Sequence, residues 1–205
     1  MYFYHLDWSN KEEYVNYFNN EFIPKHIPDF NKKQRPPWRT HAVDQYWAFF
    51  PDQTPDPKIL QLQEVLKRNF DFPDISYFLI FYQEADYEIH FDGPGDGSSG
   101  VHHTSLNLQL RSFEGTSLQF YREKNPGGGG KRISGTQAKS WEENEVILVD
   151  QFNCTNTWSL INSGVPHKVV VPKTGMPKIC LSIRFKGFPA FEDSLAKIQS
   201  KPGLM

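Results

Sequence analysis

Apolar residues recur at two different spacings along the chain, and the change falls near Ile75. Before it, Tyr14, Val15, Tyr17, Phe18, Phe22 and Ile23 repeat at an approximately helical period, which predicts an amphipathic helix ending at Pro24. Ser9 and Glu12 have the spacing of a capping box at its start. A polar connection through Pro36-Pro37 and the aromatic cluster Tyr46-Trp47-Ala48-Phe49-Phe50 follows. Asp56-Pro57 then offers an N-cap with proline at the first helical position, and Ile59, Leu60, Leu62, Val65 and Leu66 make the buried stripe of a second helix. Stripes of this kind face a core far more often than a partner, so both helices are expected to pack against a sheet.

After Ile75 the pattern is that of strands, alternating or continuously apolar, at about 75–83, 86–92, 104–111, 117–122, 145–150, 157–162, 167–172 and 178–185. Turn formers separate them: Gly93 to Gly100, Asn125 to Gly130, and Lys173 to Pro177. Asn125 to Gly130 lacks the Gly-Lys-Ser/Thr ending of a phosphate loop and reads as a mobile hairpin tip. Eight strands match a jelly roll. The expected architecture is an all-β core with N-terminal helices in one domain: 1–72 as helical support, 73–187 as the jelly-roll core, and 188–205 as a peripheral tail with a short helix near Glu192 to Ile198.

Composition narrows the classes. With 205 residues, 38% hydrophobic and 15% aromatic, the chain can fill one core but not two comfortably. A net charge of −2, with both signs scattered, provides neither a basic footprint for nucleic acid nor a polybasic membrane patch. Cys154 and Cys180 have no metal spacing, and the N-terminus lacks the basic and apolar regions of a signal peptide, so a cytoplasmic, reducing setting is expected. No apolar run approaches the length needed to span a bilayer, so no membrane partner is expected. The oligomeric state is left open.

The chemistry concentrates in Tyr87-Glu88-Ile89-His90-Phe91-Asp92-Gly93. On a strand, His90 and Asp92 share a face with Glu88, while Tyr87, Ile89 and Phe91 fill the apolar side. His167, where a turn ends and the β-branched run Val169-Val170-Val171 begins, is the best third ligand. Two histidines and a carboxylate leave half a coordination sphere open, an arrangement that suits non-haem Fe(II). In Lys178 to Phe185, alternation sends Lys178, Cys180, Ser182 and Arg184 to one face. That row either faces solvent or holds an anion inside a barrel. His102 and His103 beside the glycine-rich loop are read as rim residues, and His5, His26 and His41 as structural or solvent-facing.

Together, His90-x-Asp92, His167 and a following cation resemble the Fe(II)- and 2-oxoglutarate-dependent dioxygenases over about residues 75–186. The segments Trp158 to Val169 and Pro177 to Phe185 look most like the small prolyl-hydroxylase-like and phage-type members. The resemblance implies a double-stranded β-helix with Fe(II) on His90, Asp92 and His167. It further implies 2-oxoglutarate and O2 as co-substrates, ascorbate as an accessory reductant, and hydroxylation or demethylation with release of succinate and CO2. The 2-oxoglutarate carboxylate falls to Lys178 or Arg184; spacing favours Lys178, eleven positions after His167, and Arg184 resembles the second arginine of the nucleic-acid demethylase branch. The family's usual Arg-x-Ser is here Lys178-x-Cys180. Asn107, Gln109 and Arg111 are inward-facing substrate candidates, with Gly93 to Gly100 as a lid. The substrate is unidentified, a small molecule or protein side chain before a nucleic acid. The alternative is a metal-free jelly-roll binding module, lectin-like or virion-associated, with these residues dispersed.

Overall fold

The computed structural model describes residues 1–27, 44–92, 104–126, 130–132, 139–173 and 177–201. The proposed lid at 93–100, His41, His102, His103 and residues 127–129 of the glycine-rich tip lie outside them.

Two six-stranded antiparallel sheets form a jelly roll. The major sheet runs β1 (Phe3–Leu6), β10 (Trp158–Asn162), β5 (Thr104–Arg111), β12 (Lys178–Phe185), β3 (Ile75–Gln83), β2 (Asp44–Phe49). The minor sheet runs β7 (Lys131–Arg132), β8 (Lys139–Trp141), β4 (Ile89–His90), β11 (His167–Val170), β6 (Ser117–Glu123), β9 (Val146–Asn153). Strand period divides the major sheet's side chains between two faces. Phe78, Ile80, Leu106, Leu108, Leu181 and Ile183 face the helices in the largest apolar cluster. The opposite face meets the minor sheet, where Phe3 and Ile161 pack against Leu118, Phe120 and Phe152.

The helices brace the outer face, as the apolar stripes suggest, but their ends differ from the sequence reading. The first helix begins at Lys11 with Asn10 at the N-cap and no side-chain cap, so the Ser9/Glu12 box is not formed. It does not stop at Pro24. α1 (Lys11–Tyr17) widens into a π-helical stretch at Phe18–Phe22 and resumes as α2 (Ile23–His26), carrying the proline, which has no N–H to donate, in its first turn. In α3 (Pro57–Phe70), Asp56 caps the backbone N–H groups of Lys58 and Ile59, with Pro57 at the first position. Its stripe is Ile59, Leu62, Leu66 and Phe70; Leu60 lies about 100° around the helix from Ile59 and is 42% exposed.

The N-terminal third is more than helical support, because β1 and β2 extend the major sheet at both edges. The tail is not peripheral either: α4 (Phe191–Gln199) buries Phe191 and Ile198 in the main core. Among the described residues twelve strands replace the expected eight. No helix among the described residues is long and apolar enough to cross a membrane.

Candidate metal centre

β4 is only two residues long, where a strand over 86–92 was expected. The flanking backbone leaves the ladder: Tyr87 N–H donates to the Val169 carbonyl and Asp92 N–H to the Ser163 carbonyl. Ile89 and Phe91 still pack with Trp141 on the apolar side. Tyr87 does not join them; its ring meets His90 edge-on, with centroids 4.6 Å apart.

His90 and His167 are direct register partners across β4 and β11, and their ring centroids lie 4.6 Å apart. One donor atom each from His90, Asp92 and His167 falls within 4.8 Å of the other two. The Nδ1 of His90 is 2.9 Å from the Glu88 carbonyl oxygen, and the Nδ1 of His167 is 2.9 Å from that of Val165. A carbonyl only accepts, so in the neutral rings Nδ1 carries the proton and Nε2 presents its lone pair. Burial pushes the His167 imidazole down to about 4, assisted by the neighbouring His90 and opposed by Asp92, so at neutral pH it is an uncharged ligand.

Asp92 is the charged member. Burial acts to raise its pKa, but the Arg184 charge, joined in acid by His90 and His167 where those rings are protonated, holds it well below the ordinary carboxylate range. Arg184, 4% exposed, donates from Nη2 to Asp92 Oδ2 at 2.5 Å and from Nη1 to Ser182 Oγ at 3.0 Å. The Ser182 hydroxyl donates in turn to Asn107 Oδ1 at 2.6 Å. A buried relay therefore runs from β5 through β12 to the Asp92 carboxylate. Two imidazole nitrogens and one ionised carboxylate, fixed by hydrogen bonds behind them, suit a divalent iron, nickel or zinc ion.

All eight residues of β12 are buried, so its cation row lies inside the molecule rather than on a wet edge. Lys178, 3% exposed, donates to Gln83 Oε1 at 2.8 Å. Among the described residues it forms no ion pair, which leaves a buried ammonium facing only a neutral amide. Of the substrate candidates, Asn107 and Gln109 register opposite Ser182 and Cys180 on the inner face. Arg111 is set apart: past a bulge it pairs with Ile179, it is exposed, and its charge acts on Tyr82.

Ser182 as the relay's hinge and Gln83 as the lysine's partner were not singled out from the sequence. Ser182 was visible in the alternating row, whereas Gln83 carried no signal beyond a polar residue ending an apolar strand.

No family model and no curated protein matches the chain. Solved structures do. HygX from Streptomyces hygroscopicus with nickel and 2-oxoglutarate bound aligns at a TM-score of 0.51 and 12% identity, over 92% of this chain and 84% of that one. The non-heme alpha-ketoglutarate-dependent epimerase SnoN from nogalamycin biosynthesis aligns at 0.53 and 13%, over 89% and 77%. Vicilin from hazelnut, Corylus avellana, aligns at 0.38 and 10%, and the chain spans only 31% of its length. The class defined by fold is thus the jelly roll that HygX and SnoN share. HygX holds nickel and 2-oxoglutarate and SnoN is a non-heme alpha ketoglutarate dependent epimerase, and in this particular chain three donors converge where dispersal was the expectation for a binding module.

Proposed function

We propose that the chain is an Fe(II)- and 2-oxoglutarate-dependent oxygenase that hydroxylates, or demethylates by hydroxylation, a small molecule or a protein side chain with release of succinate and CO2. The carrying observation is the His90, Asp92 and His167 cluster with both Nδ1 atoms tied to backbone carbonyls, which aims two Nε2 lone pairs and a carboxylate at one point. HygX and SnoN, whose structures carry or depend on 2-oxoglutarate, support the reading through their shared fold.

Iron bound there, with 2-oxoglutarate and O2, supplies the oxidising power to attack an unactivated C–H bond. The chain's part is to hold and shield. His90 and His167 ligate through Nε2, and Asp92 neutralises part of the ion's charge. Arg184 keeps Asp92 ionised and in place and completes the inner wall toward the co-substrate. Lys178, among the described residues the one buried cation whose partner is a neutral amide, takes the distal carboxylate. Asn107, its Oδ1 engaged by Ser182, keeps an N–H pair for substrate.

Anaerobic Fe(II) titration tests the centre. Tight binding is expected in the wild type and its loss in His90→Ala and His167→Ala; unchanged affinity in both variants removes the site. Succinate release across a panel of small molecules and peptides then tests the reaction, with ascorbate present to keep the iron reduced.

A further inference from the structure

Gln109 is 4% exposed, and among the described residues its Oε1 has no hydrogen-bond partner. Leaving a buried amide oxygen unpaired is costly, commonly by about 1–3 kcal/mol, so such an atom calls for an explanation. Its surroundings suggest one. Gln109 registers directly across from Cys180, and Lys178 is two residues before Cys180 on the same inner face of β12. Gln109 and Lys178 therefore lie diagonally on neighbouring strands, with the bulge at Ile179–Cys180 between them. Cys180 between them is small, and its thiol already donates to the Leu181 carbonyl at 3.3 Å. The residue flooring this niche thus supplies no strong donor to an incoming anion.

We infer that Gln109 is the second contact for the distal carboxylate of the co-substrate, donating an amide N–H beside the Lys178 ammonium. The inference rests on the 2-oxoglutarate site proposed above and assigns Gln109 to the co-substrate rather than to the substrate. A half-turn of the amide is all the contact requires. The side chain's –NH2 now approaches the Cys180 sulfur. Turned over, it presents N–H to the carboxylate, and Oε1 accepts the Cys180 thiol proton once the thiol rotates away from the Leu181 carbonyl. Both ends of the amide are then satisfied, and the ammonium gains an anionic partner. A lysine alone binds carboxylate as a point charge without direction; an added N–H fixes where that carboxylate lies and so which chain length fits.

The test compares two 2-oxo acids on the anaerobic, Fe(II)-loaded protein by isothermal titration calorimetry. 2-Oxoglutarate carries the distal carboxylate and 2-oxobutyrate does not. In Gln109→Leu, 2-oxoglutarate affinity is expected to fall about tenfold or more, the scale of a hydrogen bond to a charged group. Affinity for 2-oxobutyrate and for Fe(II) should not change. Gln109→Glu should abolish 2-oxoglutarate binding by taking Lys178 as its own partner, and it serves if the leucine variant does not fold. An equal loss for both acids makes Gln109 merely structural and overturns the inference, as does no loss for either. A wild-type protein that takes up neither Fe(II) nor 2-oxoglutarate brings down the proposed function, which is a different result from iron and 2-oxoglutarate binding without a selective loss.

Discussion

Arg184→Leu probes the ion pair behind the metal carboxylate. The guanidinium is 4% exposed, and its removal strands Asp92 inside the barrel and frees Ser182 Oγ of a donor. Breaking a buried pair from one side costs about 3–5 kcal/mol. Asp92 retains 23% side-chain exposure and His90 Nε2 at 3.5 Å, so the lower end, about 3 kcal/mol at pH 7, is expected for the metal-free protein. Urea unfolding should register it as a midpoint lowered by about 1–3 M, given slopes of about 1–3 kcal/mol/M for proteins of moderate size. The pH dependence gives a second, independent reading. The folded pKa of Asp92 is depressed, so the pair's contribution is fully present above the unfolded carboxylate value of about 4 and is lost as pH falls toward the folded value. The gap between wild type and variant should therefore narrow below about pH 4. Asp92→Asn added to Arg184→Leu should recover part of the loss, because no charge is then left unpaired. A cost below about 1 kcal/mol, or a gap that does not close in acid, refutes the reasoning.

Burial depresses His167 to about 4, so the metal-free protein should lose stability as pH falls from about 6.5 toward 4, and His167→Leu should flatten that slope in chemical denaturation. Lys178→Ala should raise the 2-oxoglutarate requirement about tenfold or more in succinate assays, with Fe(II) affinity unchanged. Asp56→Ala removes the cap on Lys58 and Ile59 and should lower stability by about 1 kcal/mol in thermal melts without altering Fe(II) binding.

Much of the fold was legible because period 2 is a strong signal wherever one face is polar and the other apolar. β3, β5 and β12 coincide with the expected spans, and α3 is announced by Asp56-Pro57. β1 and β2 were missed for a common reason. Each lies at an edge of the major sheet, and an aromatic run such as Tyr46 to Phe50 shows no alternation of polarity. The π-helical stretch left no mark, since hydrophobic spacing barely changes when a single turn widens. At the site, His90, Asp92 and His167 were readable as residue types at a suggestive spacing. What held them was not: the orienting groups are mainly backbone carbonyls and a serine, whose roles depend on which strands become neighbours. The cation row was ambiguous in sequence because a wet edge strand and a buried central strand alternate alike. Topology alone places β12 between β5 and β3.

β4 and β11 share a single register pair, His90 with His167, flanked by the backbone bonds from Tyr87 to Val169 and from Asp92 to Ser163, and no other described strand pair of the minor sheet has so few. The two residues are 167 − 90 = 77 positions apart in sequence. An ion shared between them closes that length of chain at a point where the ladder supplies little, so it acts as a rivet as well as a reagent. Apo protein should open first along this seam, and iron concentration, through mass action on the folded state, becomes a gauge of how long the barrel stays shut.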